Sequence, residues 1–122
     1  MVFVVDDDAS VRTALLRLIR AAGYEAHADD SAAAYLQGET PKPPACLVLD
    51  VRMPGMSGLE LHQKAHGTAY ALPTVFITGH GDEAVRRQAM ALGAVAVLDK
   101  PLDQLVLLEA IQKALERGRP QS

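Results

Sequence analysis

Four short apolar runs punctuate the chain: Val2-Phe3-Val4-Val5, Leu47-Val48-Leu49, Val75-Phe76-Ile77 and Val95-Ala96-Val97-Leu98. Each is too short for a helix and is continuous rather than alternating, which is how strands buried on both faces of a parallel sheet read. A fifth segment, Tyr24-Glu25-Ala26-His27-Ala28, alternates apolar and polar residues as an edge strand does. Helical periodicity fills the gaps. Val11, Leu15, Leu18, Ile19 and Ala22 share one helix face, and Gly23 ends that helix. Ser31 to Gln37 predicts a short alanine-rich helix, followed by a proline-rich loop, Thr40-Pro41-Lys42-Pro43-Pro44. Ser57 to His66 and Asp82 to Leu92 predict the third and fourth helices, with Gly67 and Gly93 as stops. Asp103 opens the last helix as its N-cap, with Leu105, Leu108, Ile111 and Leu115 on the inner face. Val106 and Leu107 widen that stripe enough to offer part of the helix to a partner.

The resulting order is strand then helix, five times over, with no internal repeat. Such alternation implies a doubly wound α/β fold, a parallel five-stranded sheet covered by helices on both faces. The 122 residues make one domain, expected over 1–117, with 118–122 as a tail or the start of a linker. A hydrophobic fraction of 49% with 22% charged residues is globular composition and argues against disorder. The net charge of -3, without a block of Lys or Arg, argues against nucleic-acid binding by this domain. The single cysteine, Cys46, excludes an internal disulfide and a thiolate zinc site, and on a buried strand it reads as core. No apolar run approaches the roughly 18 residues of a membrane span. Asp6, Asp7 and Asp8 stand where a signal peptide would be apolar, so the expected location is the cytoplasm.

In folds of this kind the functional site lies at the carboxyl ends of the strands. Here those ends carry Asp6-Asp7, Asp50, Thr78 and Asp99-Lys100-Pro101. Three carboxylates therefore converge with a hydroxyl and an ammonium. Like charges about 4 Å apart repel by roughly 4 kcal/mol at an effective dielectric of about 20, so the cluster calls for a counter-ion. All-oxygen ligands at an open site suit Mg²⁺. The chemistry such a set serves is phosphoryl transfer to a carboxylate. Asp50 is the nucleophile of choice because the loop Val51-Arg52-Met53-Pro54-Gly55 leaves it open. Asp6 and Asp7 hold the metal, while Thr78 and Lys100 donate to phosphoryl oxygens. Asp8 reads as a helix-capping acid.

These residues carry a resemblance. Val4-Val5-Asp6-Asp7-Asp8, Leu49-Asp50-Val51-Arg52-Met53-Pro54-Gly55-Met56-Ser57-Gly58, Thr78-Gly79-His80-Gly81 and Lys100-Pro101 resemble the receiver domain of two-component response regulators, over Val2 to about Arg117. The resemblance implies a chemotaxis-regulator-like (CheY-like, flavodoxin-like) (βα)₅ fold with strand order 2-1-3-4-5. It implies Asp50 as the phosphoacceptor, served by a cognate histidine kinase. It implies Mg²⁺ held by Asp7, Asp50 and the backbone carbonyl of Arg52, with Asp6 acting through water. Thr78 becomes the switch hydroxyl and Lys100 the phosphoryl contact. A cis Lys100-Pro101 bond is also implied. The stretch Thr78-Gly79-His80-Gly81-Asp82 is similar to the branch of nitrogen-fixation regulators (FixJ-like), whose receivers precede a DNA-binding output domain, absent from this chain. Dimerisation through helix 4, strand 5 and helix 5 follows from the same resemblance. One departure stands out: the family's Tyr or Phe three residues before the lysine is Val97 here. Activation would then rely on Thr78 and the loop after strand four.

Other residues are read more plainly. His62 and His66 stand one turn apart on a helix with no third ligand evident, and read as a solvated face. His80, two residues past Thr78, either screens a phosphoryl group from water or is a plain loop histidine, and the Arg52 side chain has the same two readings. Met53 and Met56 shape the loop. The leading expectation is a phosphorylation-dependent signalling switch that catalyses its own phosphorylation and slow hydrolysis rather than a turnover enzyme. The alternative is a receiver fold that binds partners independently of phosphate, which Val97 alone favours. A turnover aspartyl-phosphate phosphatase would want a threonine that Asp6-Asp7-Asp8-Ala9-Ser10 lacks, and a cap domain for which there is no room.

Overall fold

A computed structural model describes residues 1–79 and 82–117. Strands and helices alternate as β1 (Val2–Val5), α1 (Ala9–Ala21), β2 (Ala26–Asp29), α2 (Ala32–Gln37), β3 (Cys46–Asp50), α3 (Gly58–Ala65), β4 (Thr74–Thr78), α4 (Glu83–Ala91), β5 (Ala96–Asp99) and α5 (Gln104–Arg117). The strands form one parallel sheet in the order β2-β1-β3-β4-β5. The doubly wound (βα)₅ arrangement expected from the sequence is therefore the one observed. His80, Gly81 and the tail 118–122 lie outside the described residues.

The continuous apolar runs are continuous because each strand feeds two cores. On one face Val2, Val4, Cys46, Val48, Val75 and Ile77 pack against α1 and α5, through Leu15, Ile19, Leu107 and Ile111. On the other, Val5, Leu47, Leu49, Phe76 and Val97 meet α2, α3 and α4 through Ala32, Tyr35, Leu61 and Ala89. Cys46 is fully buried, and that burial pushes its thiol up to about 12, so it is core rather than a reactive group. The alternating segment forms the edge strand as anticipated, although β2 starts two residues later. Arg20 donates to the Ala26 carbonyl at 2.9 Å, occupying an acceptor of that strand.

Every helix begins at the same edge of the sheet, and each is capped by a side chain. Asp8 accepts from the amides of Ser10 and Val11, Ser31 from Ala34, Asp82 from Val85, and Asp103 from Leu105 and Val106. Ser57 and Glu60 form a reciprocal capping box on α3. The capping reading of Asp8 and Asp103 thus holds.

Two expectations are corrected. Leu105 is not on the inner face of α5 but 73% exposed, whereas Leu107 is fully buried with Ala110, Ile111 and Ala114. Two positions along a helix turn the side chain about 200°, so the two leucines cannot share a face. The small side chains of Ala110 and Ala114 let the helix lie close on the sheet, and they decide its rotation. His62 is not on a solvated face either. Its ring packs against Phe76 at a centroid distance of 5.6 Å, and burial lowers its pKa. His66, one turn on, is exposed.

The rotation of α5 gives a direct expectation. Ile111→Ala should cost roughly 2–5 kcal/mol in urea unfolding, whereas Leu105→Ala should stay within about 0.5 kcal/mol of wild type. Comparable losses from the two substitutions would contradict the observed register.

Candidate functional site

Parallel strands end together, so the residues that follow β1, β3, β4 and β5 share one edge. Asp6 and Asp7 follow β1, Asp50 closes β3, Thr78 closes β4 and Lys100 follows β5. One carboxylate oxygen from each of Asp6, Asp7 and Asp50 lies within 4.8 Å of the others. Asp6 and Asp50 are buried, at 1% and 5% exposure, while Asp7 is open to solvent. Lys100 brings its Nζ to 3.9 Å from Asp50 Oδ2. Its amide donates to the Thr78 carbonyl at 2.9 Å, locking the end of β5 to that of β4.

The backbone around Asp50 is equally determined. Asp50 Oδ1 accepts from the Arg52 amide at 3.2 Å, turning the carboxylate back over its own loop. Val51 donates to Ile77 and accepts from Gly58, so the loop returns to the strand end that it left. A Cβ on Gly58 would collide with the Asp50 carbonyl oxygen, which explains the glycine at the start of α3. The Lys100-Pro101 bond is cis, as is Pro43-Pro44.

The electrostatics are unbalanced. Burial, then the neighbouring Asp6 charge, push Asp50 from the ordinary 3.8 up to about 6, against the pull of Lys100 and the Arg52 amide. Burial also raises Asp6, whose Oδ1 accepts from the Asp8 amide at 2.9 Å. Two buried polar atoms at this edge, Asp6 Oδ2 and Thr78 Oγ1, have no hydrogen-bond partner among the described residues. An unmade hydrogen bond on a buried polar group costs roughly 1–3 kcal/mol, so such atoms point to a ligand that satisfies them. Three convergent carboxylates with an orphaned carboxylate oxygen fit a hard divalent cation, and an orphaned hydroxyl and an ammonium on the same sheet edge fit an anionic oxygen group.

The sequence-predicted residues Asp6, Asp7, Asp50, Thr78 and Lys100 are thus gathered on one edge. The Arg52 side chain instead reaches outward and donates to Asp82 Oδ2 at 2.7 Å. The cap bond from the Val85 amide, and then this Arg52 contact, hold the Asp82 carboxyl below its usual range. Sequence reasoning missed three further residues. Arg12 donates from Nη1 to the Asp6 carbonyl at 2.7 Å. Arg86 of α4 forks onto the Val97 carbonyl at 2.8 Å and the Asp99 carboxylate at 2.9 Å. Gly58 permits the close approach described above. Only Arg12 had a usable signal, because a side chain in the first turns of a helix leans toward its N-terminus. A cavity of about 710 Å³ lies elsewhere, between β2 and the loop at 38–44, and is lined by none of these groups.

The chain matches the response regulator receiver domain over residues 2–112. Nodulation protein W of Bradyrhizobium diazoefficiens is 45% identical over 98% of this chain and 52% of its own length. The transcriptional regulatory protein FixJ of Azorhizobium caulinodans is 39% identical over 98% of this chain and 57% of its own. The crystal structure of FixJ-N superposes with a TM-score of 0.90 at 36% identity, covering 98% of this chain and 96% of that one. The chain spans about half the length of the curated relatives it matches.

The raised pKa of Asp50 predicts a pH dependence. In the metal-free protein the native state binds the Asp50 proton more tightly than the unfolded chain. The associated stability is present below about pH 4 and lost as the pH rises through about 6. Asp50→Asn should therefore stabilise the chelated protein by on the order of 1–3 kcal/mol at about pH 7.5. The gain should disappear at about pH 4. Urea unfolding at the two pH values checks this, and equal effects at both would contradict it.

Proposed function

The chain belongs to the response regulator receiver domain family, and from that premise we propose that it is a phosphorylation-operated switch with Asp50 as its phosphoacceptor. The observation that carries this reading is the set of unmet demands around Asp50: a buried carboxylate faced by Lys100, beside an orphaned Thr78 hydroxyl and an orphaned Asp6 oxygen. Receiver domains bind Mg²⁺ at this acidic pocket, and the donor set here suits it. Asp7, Asp50 and the Arg52 backbone carbonyl would hold the ion directly, with Asp6 acting through water. When bound, Mg²⁺ offsets negative charge on the carboxylates and on the phosphoryl oxygens.

The residues of the chain then divide the work. An oxygen of the ionised Asp50 carboxylate attacks the phosphorus of a phosphohistidine on a cognate histidine kinase. The new P–O bond forms as the P–N bond breaks, and the leaving imidazole takes up a proton. Lys100 Nζ donates to one phosphoryl oxygen and Thr78 Oγ1 to another. Hydrolysis returns the carboxylate when water attacks the same phosphorus, which makes the chain a slow self-dephosphorylating switch.

The output runs through α4. Val97 is buried and small where the family has an aromatic ring, so the Thr78 hydroxyl and the β4–α4 loop carry the change. Met90 of α4, with Leu105 and Val106 of α5, exposes apolar area on the face that would pair two copies through α4, β5 and α5. Leu107, fully buried, takes no part in that face. A DNA-binding output domain in the native protein, and a location in the cytoplasm, accord with the transcriptional regulatory proteins among the relatives. No helix among the described residues is long and apolar enough to cross a membrane. Val97 is also the observation favouring a second reading, a receiver fold that binds partners without being phosphorylated.

Intact mass after incubation with acetyl phosphate and Mg²⁺ separates the two. A single phosphoryl adduct is expected on the wild type, none on Asp50→Ala and none with a chelator. Asp7→Ala should retain phosphorylation but require substantially more Mg²⁺. An adduct that persists in Asp50→Ala would show that the phosphoacceptor is another residue, and no adduct on the wild type would favour the phosphate-independent module.

A further inference from the structure

We infer that Arg12 is a positioning residue for the acidic site, holding the peptide between Asp6 and Asp7 in the orientation that binds a divalent cation. The inference rests on the reading of the cluster as a cation site. It begins with the β1–β2 ladder. Val2 and Asp6 both direct their amides to β2, donating to the carbonyls of Glu25 at 2.8 Å and Asp29 at 3.3 Å. In a parallel ladder the carbonyl of such a residue finds its donor two positions further along the neighbouring strand. For Asp6 that position is Ser31, but β2 ends at Asp29 and Ser31 has already turned away to cap α2. The Asp6 carbonyl has lost its ladder partner, and Arg12 Nη1 replaces it at 2.7 Å in a half-buried bond.

That carbonyl belongs to the peptide joining two of the three clustered carboxylates. Asp6 is held at its amide by Asp29, at its carbonyl by Arg12 and at Oδ1 by the Asp8 amide, which leaves Oδ2 fixed and unpartnered among the described residues. Asp7 is exposed and its carboxylate makes no hydrogen bond among the described residues, so its direction follows from the backbone on either side. The Asp8 cap of α1 fixes the far side, and the Arg12 bond fixes the near side. Without the guanidinium the carbonyl of the Asp6-Asp7 peptide loses its side-chain tie, and the Asp7 carboxylate shifts with it.

Residues that orient metal ligands through hydrogen bonds typically govern 10–100-fold in affinity. Calorimetric titration of the full chain with Mg²⁺ should show Arg12→Ala weakening binding by about tenfold or more. Arg12→Lys, which keeps a charged donor on a similar stem, should recover part of that loss. Urea unfolding in chelator supplies the readout that separates positioning from support of the fold. If Arg12→Ala lowers the metal-free midpoint but leaves the Mg²⁺ affinity within about twofold of wild type, Arg12 is a structural tie and the inference is overturned. Should Arg12→Ala fail to fold, Arg12→Met, which keeps the apolar stem and loses the donor, carries the same comparison. A wild-type chain that binds no Mg²⁺ overturns the cation-site reading and this inference together. Normal wild-type binding with unchanged variant affinity overturns the inference alone.

Discussion

The crowding of negative charge at one sheet edge is the constraint on which the rest of the structure turns. Parallel strands must all end on the same side, and here β1 and β3 end in carboxylates that lie within 4.8 Å of one another. Burial makes that charge harder to sustain, as the upward shifts of Asp6 and Asp50 record. The protein opposes it with what the fold brings to the same edge: the Lys100 ammonium and the backbone amides of Asp8 and Arg52. These contributions are incomplete. An orphaned carboxylate oxygen and an orphaned hydroxyl remain among the described residues, and on the proposed reading a cation and an anionic oxygen group bound together satisfy them.

A site under this strain needs a rigid frame, and the two hydrophobic cores supply it. The three central strands are packed on both faces, with Val4, Val48, Leu49 and Phe76 essentially excluded from solvent. The helix most loosely tied to that frame is α4, which buries only Ala89 completely. It is held instead by polar links that begin beside site residues. Arg52, two positions after Asp50, reaches its cap Asp82, and Arg86 grips the β5 backbone and Asp99, one position before Lys100. Charge at the site and the position of α4 are thereby connected through short chains of contacts. On the proposed reading, these links carry a change at Asp50 to the surface of a receiver that lacks the aromatic ring at position 97.

Much of this was legible in the sequence because it depends on local rules. Continuous apolar runs give buried strands, Asp8, Ser57 and Asp103 mark helix starts, and the strand-end residues name the site once the strands are placed. What was not legible depends on packing between elements. The rotation of α5 was ambiguous because apolar residues at 105, 106, 107, 108, 111 and 115 support more than one stripe, and the choice is made by how closely Ala110 and Ala114 allow approach to the sheet. His62 was assigned to solvent because nothing in its own helix reveals Phe76 beneath it. Gly58 falls inside the helix predicted over Ser57 to His66, and nothing in that pattern shows the Asp50 carbonyl that requires a glycine there. For Arg12 the sequence offers only its place in the first turns of α1, which points the side chain toward the site without naming its partner, a backbone carbonyl.

On the proposed reading, Mg²⁺ and a phosphoryl-like group jointly satisfy the orphaned groups at the strand ends. Amide spectra of the isotopically labelled chain, titrated with Mg²⁺ and then with beryllofluoride as a phosphoryl mimic, test it most directly. Mg²⁺ alone should produce saturable shifts of the Asp7 and Arg52 amides. Addition of beryllofluoride should then move Thr78 and the first turn of α4, and only with the metal present. Spectra unchanged by Mg²⁺, or a Thr78 response to beryllofluoride without metal, would contradict it.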